Sequence, residues 1–282
     1  PAQTGVDPAS VTEPVARPTQ GPALPPAQYI VDLPESYTLP VRYGSLGPQL
    51  VKAGAIDLVA FTALYAESGA PLTAEQEAIL TKGSDDPVVI DHTNAHFLLN
   101  FFWAVGLANR NPILLKGEIQ ANGPDQVENY ASTGGWTLAS KPIMDVFASV
   151  PLIDLTGEQQ QRLQTVAEAV YRPCCGNSTA FPDCNHGMAM LGILELMAAN
   201  DASEDQMFEA AKYINAFWFP NEMVEAAAYF KITQEQDFTA IDPRMIVSQS
   251  IFSSTGSQSI KQWLADTGRS GQPLEGGGGC GV

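Results

Sequence analysis

Helical periodicity is the feature that most constrains the fold of this chain. Apolar residues recur at spacings of three and four in eight segments, and several of these segments begin at Ser, Thr or Asp. The predicted helices are 56–67, 73–82, 91–109, 156–171, 185–199, 203–217, 221–229 and 257–265. Alternating patterns typical of strands are limited to two short segments, 88–90 and 245–247. We therefore predict an all-α fold, an irregular or orthogonal multi-helix bundle.

The two ends of the chain differ in composition from this helical part. Nine prolines fall within residues 1–40, and the last seven residues read GGGGCGV. Proline favours an extended chain, and consecutive glycines disfavour regular secondary structure. We predict an extended Pro-rich N-terminal arm over residues 1–40, one helical domain over 41–268, and a Gly-rich C-terminal tail over 269–282 that carries Cys280.

Charge and hydropathy exclude some partners and suggest a location. The chain has 31 acidic and 14 basic residues, a net charge of −17, which argues against nucleic acids and anionic membranes as partners. No apolar run approaches the roughly 20 residues of a membrane span, so we expect no direct membrane insertion. The opening at Pro1, rich in Pro, Thr and Ala, predicts a processed, extracytoplasmic protein: periplasmic, cell-surface or secreted. The two tails suggest contacts within a homo-oligomer or larger assembly.

One thirty-residue stretch, 171–200, holds three of the four cysteines, one of the three histidines and three of the seven methionines. Cys184 and His186 fall at the first turn of a predicted helix, where backbone N–H groups stabilise a thiolate. Met190 follows His186 by four residues and shares its face of the helix. With Cys174 and Cys175, these residues form a set of soft ligands for a copper or zinc ion.

The other two histidines, His92 and His96, are four residues apart at the start of a predicted helix and share one face. Such a pair presents two imidazoles to one metal ion. Thr93 stands where the zinc-protease motif requires Glu, so that class of enzyme is excluded. We expect His92 and His96 to complement the cysteine ligands if the two segments converge in the fold.

Each of these residues also has a simpler interpretation. A disulfide between Cys184 and either Cys174 or Cys175 would close a loop of about ten residues. The histidines would serve equally well as helix caps or core residues, and methionine is a common core residue. A cysteine–histidine dyad would suit a thiol enzyme, but no family-type signature surrounds the cysteines. The stretch also lacks the Cys-x-x-Cys-His of haem attachment and the paired Cys-x-x-Cys of zinc ribbons.

The sequence thus favours an exported, acidic, helical protein that binds copper or zinc for metal storage, delivery or electron transfer. The alternative is a structural or assembly protein of the cell surface, in which a disulfide pins the cysteine cluster and the tails contact neighbouring subunits. A thiol-dependent enzyme is the third hypothesis, and the absence of a catalytic signature favours a binding protein over an enzyme.

Overall fold

The computed structural model describes residues 31–269, and these residues form a mostly helical protein with one small antiparallel sheet. The α-helices are α1 (Leu46–Ala53), α2 (Leu58–Glu67), α3 (Ala74–Thr81), α4 (Ala95–Ala108), α5 (Pro112–Lys116), α6 (Ile143–Val146), α7 (Gly157–Ala169), α8 (Asn185–Ala199), α9 (Glu204–Trp218), α10 (Pro220–Gln234), α11 (Pro243–Ile246), α12 (Gln249–Phe252) and α13 (Ser254–Asp266). Short 3-10 helices cover Glu118–Gln120, Pro124–Asn129 and Phe238–Ala240. The predicted multi-helix fold class is confirmed.

The sheet consists of β1 (Ser36–Gly44) and β2 (Ser84–Asp91), which pair antiparallel with Thr38 opposite Val89. Buried Leu39, Val41 and Tyr43 alternate with exposed residues along β1, so one face of the sheet packs on the core. The predicted strand at 88–90 is confirmed within β2. β1 begins inside the segment that the sequence analysis assigned to the arm; the arm up to residue 30 and the tail with Cys280 lie outside the described residues.

The predicted strand at 245–247 is wrong, because Met245 and Ile246 belong to helix α11. The Asp242 side chain accepts a hydrogen bond from the backbone N–H of Arg244, and Pro243 occupies the first helical position. A capping aspartate followed by proline is a helix start, and these local interactions prevail over the β-branched residues at 246 and 247.

Side-chain caps fix the starts of three long helices. Thr73, Thr156 and Ser203 each accept a hydrogen bond from the backbone N–H three residues later. The glutamine at that later position returns a bond to the N-cap backbone, which completes a capping box. The predicted starts of these helices are therefore confirmed, and the capping boxes explain them.

The centre of the molecule is the contact between α4 and α8. Both helices are buried along nearly their whole length. A Cβ atom on Gly192 would lie 2.6 Å from the carbonyl oxygen of Phe102, and one on Gly106 would overlap the carbonyl oxygen of Met188. The two backbones therefore touch at this pair of glycines. This close contact anchors α8, whose first turn carries the cysteine cluster.

The helices of the described part were also compared with the dimensions of a membrane span. No single helix within residues 31–269 is long and apolar enough to cross a membrane. Helices α1 and α2 would satisfy length and composition only as a pair, and a bend of 109° separates them.

Candidate metal centre

Three cysteine sulfurs lie together at the start of α8. The Sγ atom of Cys184 is 3.5 Å from that of Cys174 and 4.0 Å from that of Cys175, and all three lie within 4.8 Å of one another. All three cysteines are free thiols. Cys174 is exposed, whereas Cys175 and Cys184 are half-buried. The predicted cysteine cluster is therefore present, with one side open to solvent.

Local backbone structure explains how residues ten apart in sequence meet. Cys184 is the N-cap of α8, and its Sγ accepts a hydrogen bond from the backbone N–H of Gly187 at 3.4 Å. The other two cysteines lie in the turn after α7, where the carbonyl of Cys175 accepts a bond from the N–H of Ser254 at 2.9 Å. Thr179 anchors the returning chain through two bonds to the carbonyl of Val170.

Arg172 is the residue of this site that sequence reasoning missed. Its side chain is 1% exposed, and its Nε donates a hydrogen bond to Cys184 Sγ at 2.9 Å. The rest of the guanidinium donates to the carbonyl oxygens of Asn177 and Phe181 and to the carboxylate of Asp183 at 2.9 Å. Asp183 in turn accepts a bond from the Asn177 side chain at 2.8 Å. The guanidinium therefore holds the whole cysteine turn in one arrangement.

The guanidinium also lies against the first turn of α8. A Cβ atom on Gly187 would overlap it, so only glycine leaves room for Arg172 at this position. Helix N-termini carry partial positive charge, and a cation there is unfavourable unless anions compensate. Asp183 supplies one such anion, and a thiolate at Cys184 supplies a second. The site is built to hold negatively charged sulfur.

The three cysteines of the cluster differ in the direction of their pKa shifts. Hydrogen bonds from Cys174 and Cys175, together with the nearby charge of Arg172, hold the pKa of Cys184 well below its usual value, against the effect of burial. Hydrogen bonding to Cys175 and Cys184 raises the pKa of Cys174. For Cys175 a hydrogen bond with Cys174 acts in the lowering direction, but its bond to Cys184 and burial raise the pKa to about 11. Of the three sulfurs, Cys184 is therefore the one whose surroundings favour the thiolate.

The spacing of the sulfurs fits a shared metal ion. With metal–sulfur bonds of about 2.3 Å, sulfurs are about 3.8 Å apart in tetrahedral coordination and about 4.0 Å apart in trigonal coordination. The distances from the Cys184 sulfur to the other two, 3.5 and 4.0 Å, bracket these values. Cys174, Cys175 and Cys184 could therefore bind one ion with only small movements of their side chains.

The histidines and Met190, which the sequence analysis also proposed as ligands, have other neighbours. His186 is buried, its Nδ1 is 2.9 Å from Asn185 Oδ1, and its ring packs on Phe219. Burial lowers the pKa of His186 to about 4. Met190 is 2% exposed within the core.

The predicted helix start at residue 91 is wrong: exposed His92 lies in the turn between β2 and α4, and only exposed His96 lies in the first turn of α4. Both side chains contact aromatic rings. The His92 ring centroid is 5.1 Å from that of Phe217, and the His96 centroid is 5.4 Å from that of Tyr65. Within residues 31–269, no histidine nitrogen belongs to the group of donor atoms that lie within 4.8 Å of one another. Metal ligation by the three histidines and Met190 stays a prediction.

No protein-family profile, curated protein or solved structure matches this chain. A proposal for its function therefore rests on the chemistry of the three-cysteine cluster.

Proposed function

We propose that this protein binds one soft transition-metal ion, copper or zinc, through the sulfurs of Cys174, Cys175 and Cys184. The observation that carries the proposal is the position of three sulfurs within 4.8 Å of one another. Thiolates are the preferred protein ligands of Cu(I) and are common ligands of Zn(II). The hydrogen bonds from Arg172 and Gly187 to Cys184 supply the outer support that metal ligands require.

The surroundings of Cys184 favour metal binding over covalent catalysis. A catalytic thiol needs a base within hydrogen-bond reach to accept its proton. Within residues 31–269, the charged side chain that donates a hydrogen bond to Cys184 is Arg172, and its guanidinium cannot accept a proton at neutral pH. A thiolate stabilised by a fixed cation suits a metal ligand.

Storage or delivery of the ion agrees with the site better than electron transfer does. Cys174 is exposed, so an incoming thiol has a route to the ion for ligand exchange. Blue-copper electron-transfer sites use two histidines and one cysteine, whereas the group of neighbouring donors here is all sulfur within the described residues. We also propose, from sequence alone, that the protein is exported and that its tails contact neighbouring copies.

Metal content and thiol reactivity test the proposal together. The full chain is purified without added metal or chelator, and metal per chain is compared with the thiols that titrate after denaturation without reductant. We expect about one copper or zinc ion per chain with all clustered thiols titratable. A metal-free protein that has lost two thiols would refute metal binding and favour the disulfide alternative.

Single substitutions identify which residues bind the proposed metal ion. Cys184→Ser removes the central sulfur and should abolish binding of the ion, because two sulfurs remain and one of them is exposed. Cys280→Ser is the matched control: it makes the same chemical change at a cysteine outside the described residues, and it should leave the metal content unchanged if the three sulfurs hold the ion. His92→Ala and His186→Ala test the predicted histidine ligands in the same assay. Equal metal content in wild type and Cys184→Ser would contradict the three-sulfur site.

A further inference from the structure

The guanidinium of Arg172 is a positive charge beside the proposed metal ion. Its Nε lies 2.9 Å from Cys184 Sγ, and a metal–sulfur bond is about 2.3 Å long, so the charge lies within about 5 Å of a bound ion. Arginine keeps its charge at any physiological pH. An ion at the three sulfurs is therefore always repelled by Arg172.

This charge cannot move away when the ion binds. The side chain is 1% exposed, and its donors are held by Asn177, Phe181 and Asp183. The backbone of Gly187 closes the remaining side, since even a Cβ atom there would overlap the guanidinium. Asp183 is the opposing charge: its carboxylate forms an ion pair with Arg172 at 2.9 Å and is 21% exposed. The field at the sulfurs is thus set by one fixed pair.

Ions that use the same sulfurs but differ in charge respond differently to that field. Arg172 repels Zn(II) with twice the electrostatic energy with which it repels Cu(I). Loss of protons from the thiols is a shared cost, because both ions bind to the same thiolates. The ratio of the Cu(I) and Zn(II) affinities therefore depends on the fixed charge. Each affinity taken alone also depends on packing and on proton release.

We propose that Arg172 and Asp183 determine the ion selectivity of this site, and that the balance of their charges favours monovalent Cu(I) over divalent Zn(II). This inference rests on the proposed metal-binding function. Arg172 is a positioning residue that acts through Cys184 and through its charge, and it is not itself a ligand.

The test measures Cu(I) and Zn(II) affinities of the full chain by chelator competition at one pH, anaerobically for Cu(I). The wild type is compared with Arg172→Gln, which removes the positive charge, with Arg172→Lys, which retains it, and with Asp183→Asn, which removes the negative charge. Circular dichroism confirms that each variant folds. Asp183 is partly exposed, so its variant provides a charge change with little loss of packing.

We expect the Arg172→Gln and Asp183→Asn variants to change the ratio of the Cu(I) and Zn(II) affinities in opposite directions. Arg172→Gln should change the affinity ratio in favour of Zn(II) by about 10- to 100-fold, as a unit charge about 5 Å from the ion implies in a partly screened site. Asp183→Asn should change the ratio in favour of Cu(I) by a smaller factor, and Arg172→Lys should leave it near the wild-type value. A purely structural role would weaken both ions together and leave the ratio constant.

The experiment distinguishes failure of the selectivity inference from failure of the proposed metal-binding function. If the wild type binds both ions but the ratio is the same in Arg172→Gln and Asp183→Asn, the selectivity inference is wrong and the metal site stands. If the two variants change the ratio in the same direction, the inference is also wrong. If the wild type binds neither ion, the proposed function itself fails.

Discussion

Arg172 and Glu195 are two ionisable side chains buried against helix α8, and their surroundings differ completely. Arg172, at the N-terminal end, has hydrogen-bond partners on all sides, and the charges of the neighbouring cysteines raise its pKa although burial acts to lower it. Glu195, in the middle of the helix, is fully buried, and no hydrogen bond of standard geometry reaches its carboxyl oxygens within the described residues. Burial raises the pKa of Glu195 well above its usual value, and Asn109 offsets part of this.

The difference shows where along α8 charged groups are stabilised. Charged groups accumulate at the first turn of α8, where carbonyls, a carboxylate and thiols compensate them and solvent is close. In the core, burial raises the pKa of Glu195 and so favours its neutral form, because an isolated carboxylate there is costly. The proposed metal site therefore lies at the end of α8 where charged groups have compensating partners.

Removal of Arg172 should have the largest effect on stability. Arg172→Met deletes the hydrogen bonds to Cys184, Asn177 and Phe181 and leaves Asp183 without its ion pair. Loss of one partner of a buried ion pair costs about 3–5 kcal/mol of unfolding free energy. Denaturant unfolding of the metal-free protein measures this cost.

The matched control for that variant is Arg244→Met. Arg244 forms ion pairs with Glu204 and Asp205, but its side chain is 43% exposed. Exposed ion pairs contribute about 0–1 kcal/mol. Equal losses in the two variants would contradict the view that the cysteine turn depends on a compensated buried charge.

The affinity for metal should depend steeply on pH. The pKa values of Cys174 and Cys175 are raised, so both carry protons at neutral pH, whereas the pKa of Cys184 is lowered. Three metal–thiolate bonds therefore require the release of at least these two protons, and the apparent affinity should rise at least about 100-fold per pH unit below the Cys175 pKa of about 11. Chelator competition between pH 6.5 and 8.5 measures the slope. A slope of zero would mean that the thiols do not ionise when the ion binds.

Replacement of Glu195 should stabilise the protein by a smaller amount. The pKa of Glu195 is higher in the folded state than in the unfolded state, so folding favours the protonated carboxyl. The unfolding free energy is therefore highest below the unfolded pKa of about 4.5 and falls as the pH rises toward the folded pKa. Glu195→Gln removes this loss. It should raise the unfolding free energy at pH 7, because glutamine cannot ionise.

The pH dependence separates this effect from a change in packing. The stability difference between Glu195→Gln and wild type should shrink toward zero near pH 4, whatever other groups titrate, because those groups are shared. Glu168→Gln, an exposed position in α7, is the control and should show little difference at either pH. A difference that is the same at pH 4 and pH 7 would show that Glu195 is not a neutral buried acid.

Sequence reasoning succeeded where local chemistry decides the structure. The span predicted for α8, 185–199, is the observed one, and the three capping boxes fixed other helix starts. The cysteine cluster was predictable because its members lie within eleven residues and one of them caps a helix. Helices α1 and α5 were not predicted: α1 contains Gly47 and Pro48, which are poor helix formers, and α5 has only five residues, too few to show periodicity.

Contacts distant in sequence explain what was not predicted. Arg172 has no signal of its own, because a single arginine before Pro173 resembles an ordinary surface residue, and its burial depends on the empty side of Gly187. The proposed convergence of His92 and His96 with the cysteines depended on how α4 crosses α8. That crossing is set by Gly106 and Gly192, whose meeting the sequence pattern does not encode.

X-ray absorption spectroscopy of the full chain, purified without added metal and without chelator, tests the three-cysteine site most directly. We expect about one copper or zinc ion per chain, whose edge and fine structure show about three sulfur neighbours at about 2.3 Å. An ion surrounded only by nitrogen and oxygen, or a protein without metal that acquires none when Cu(I) or Zn(II) is supplied, would contradict it.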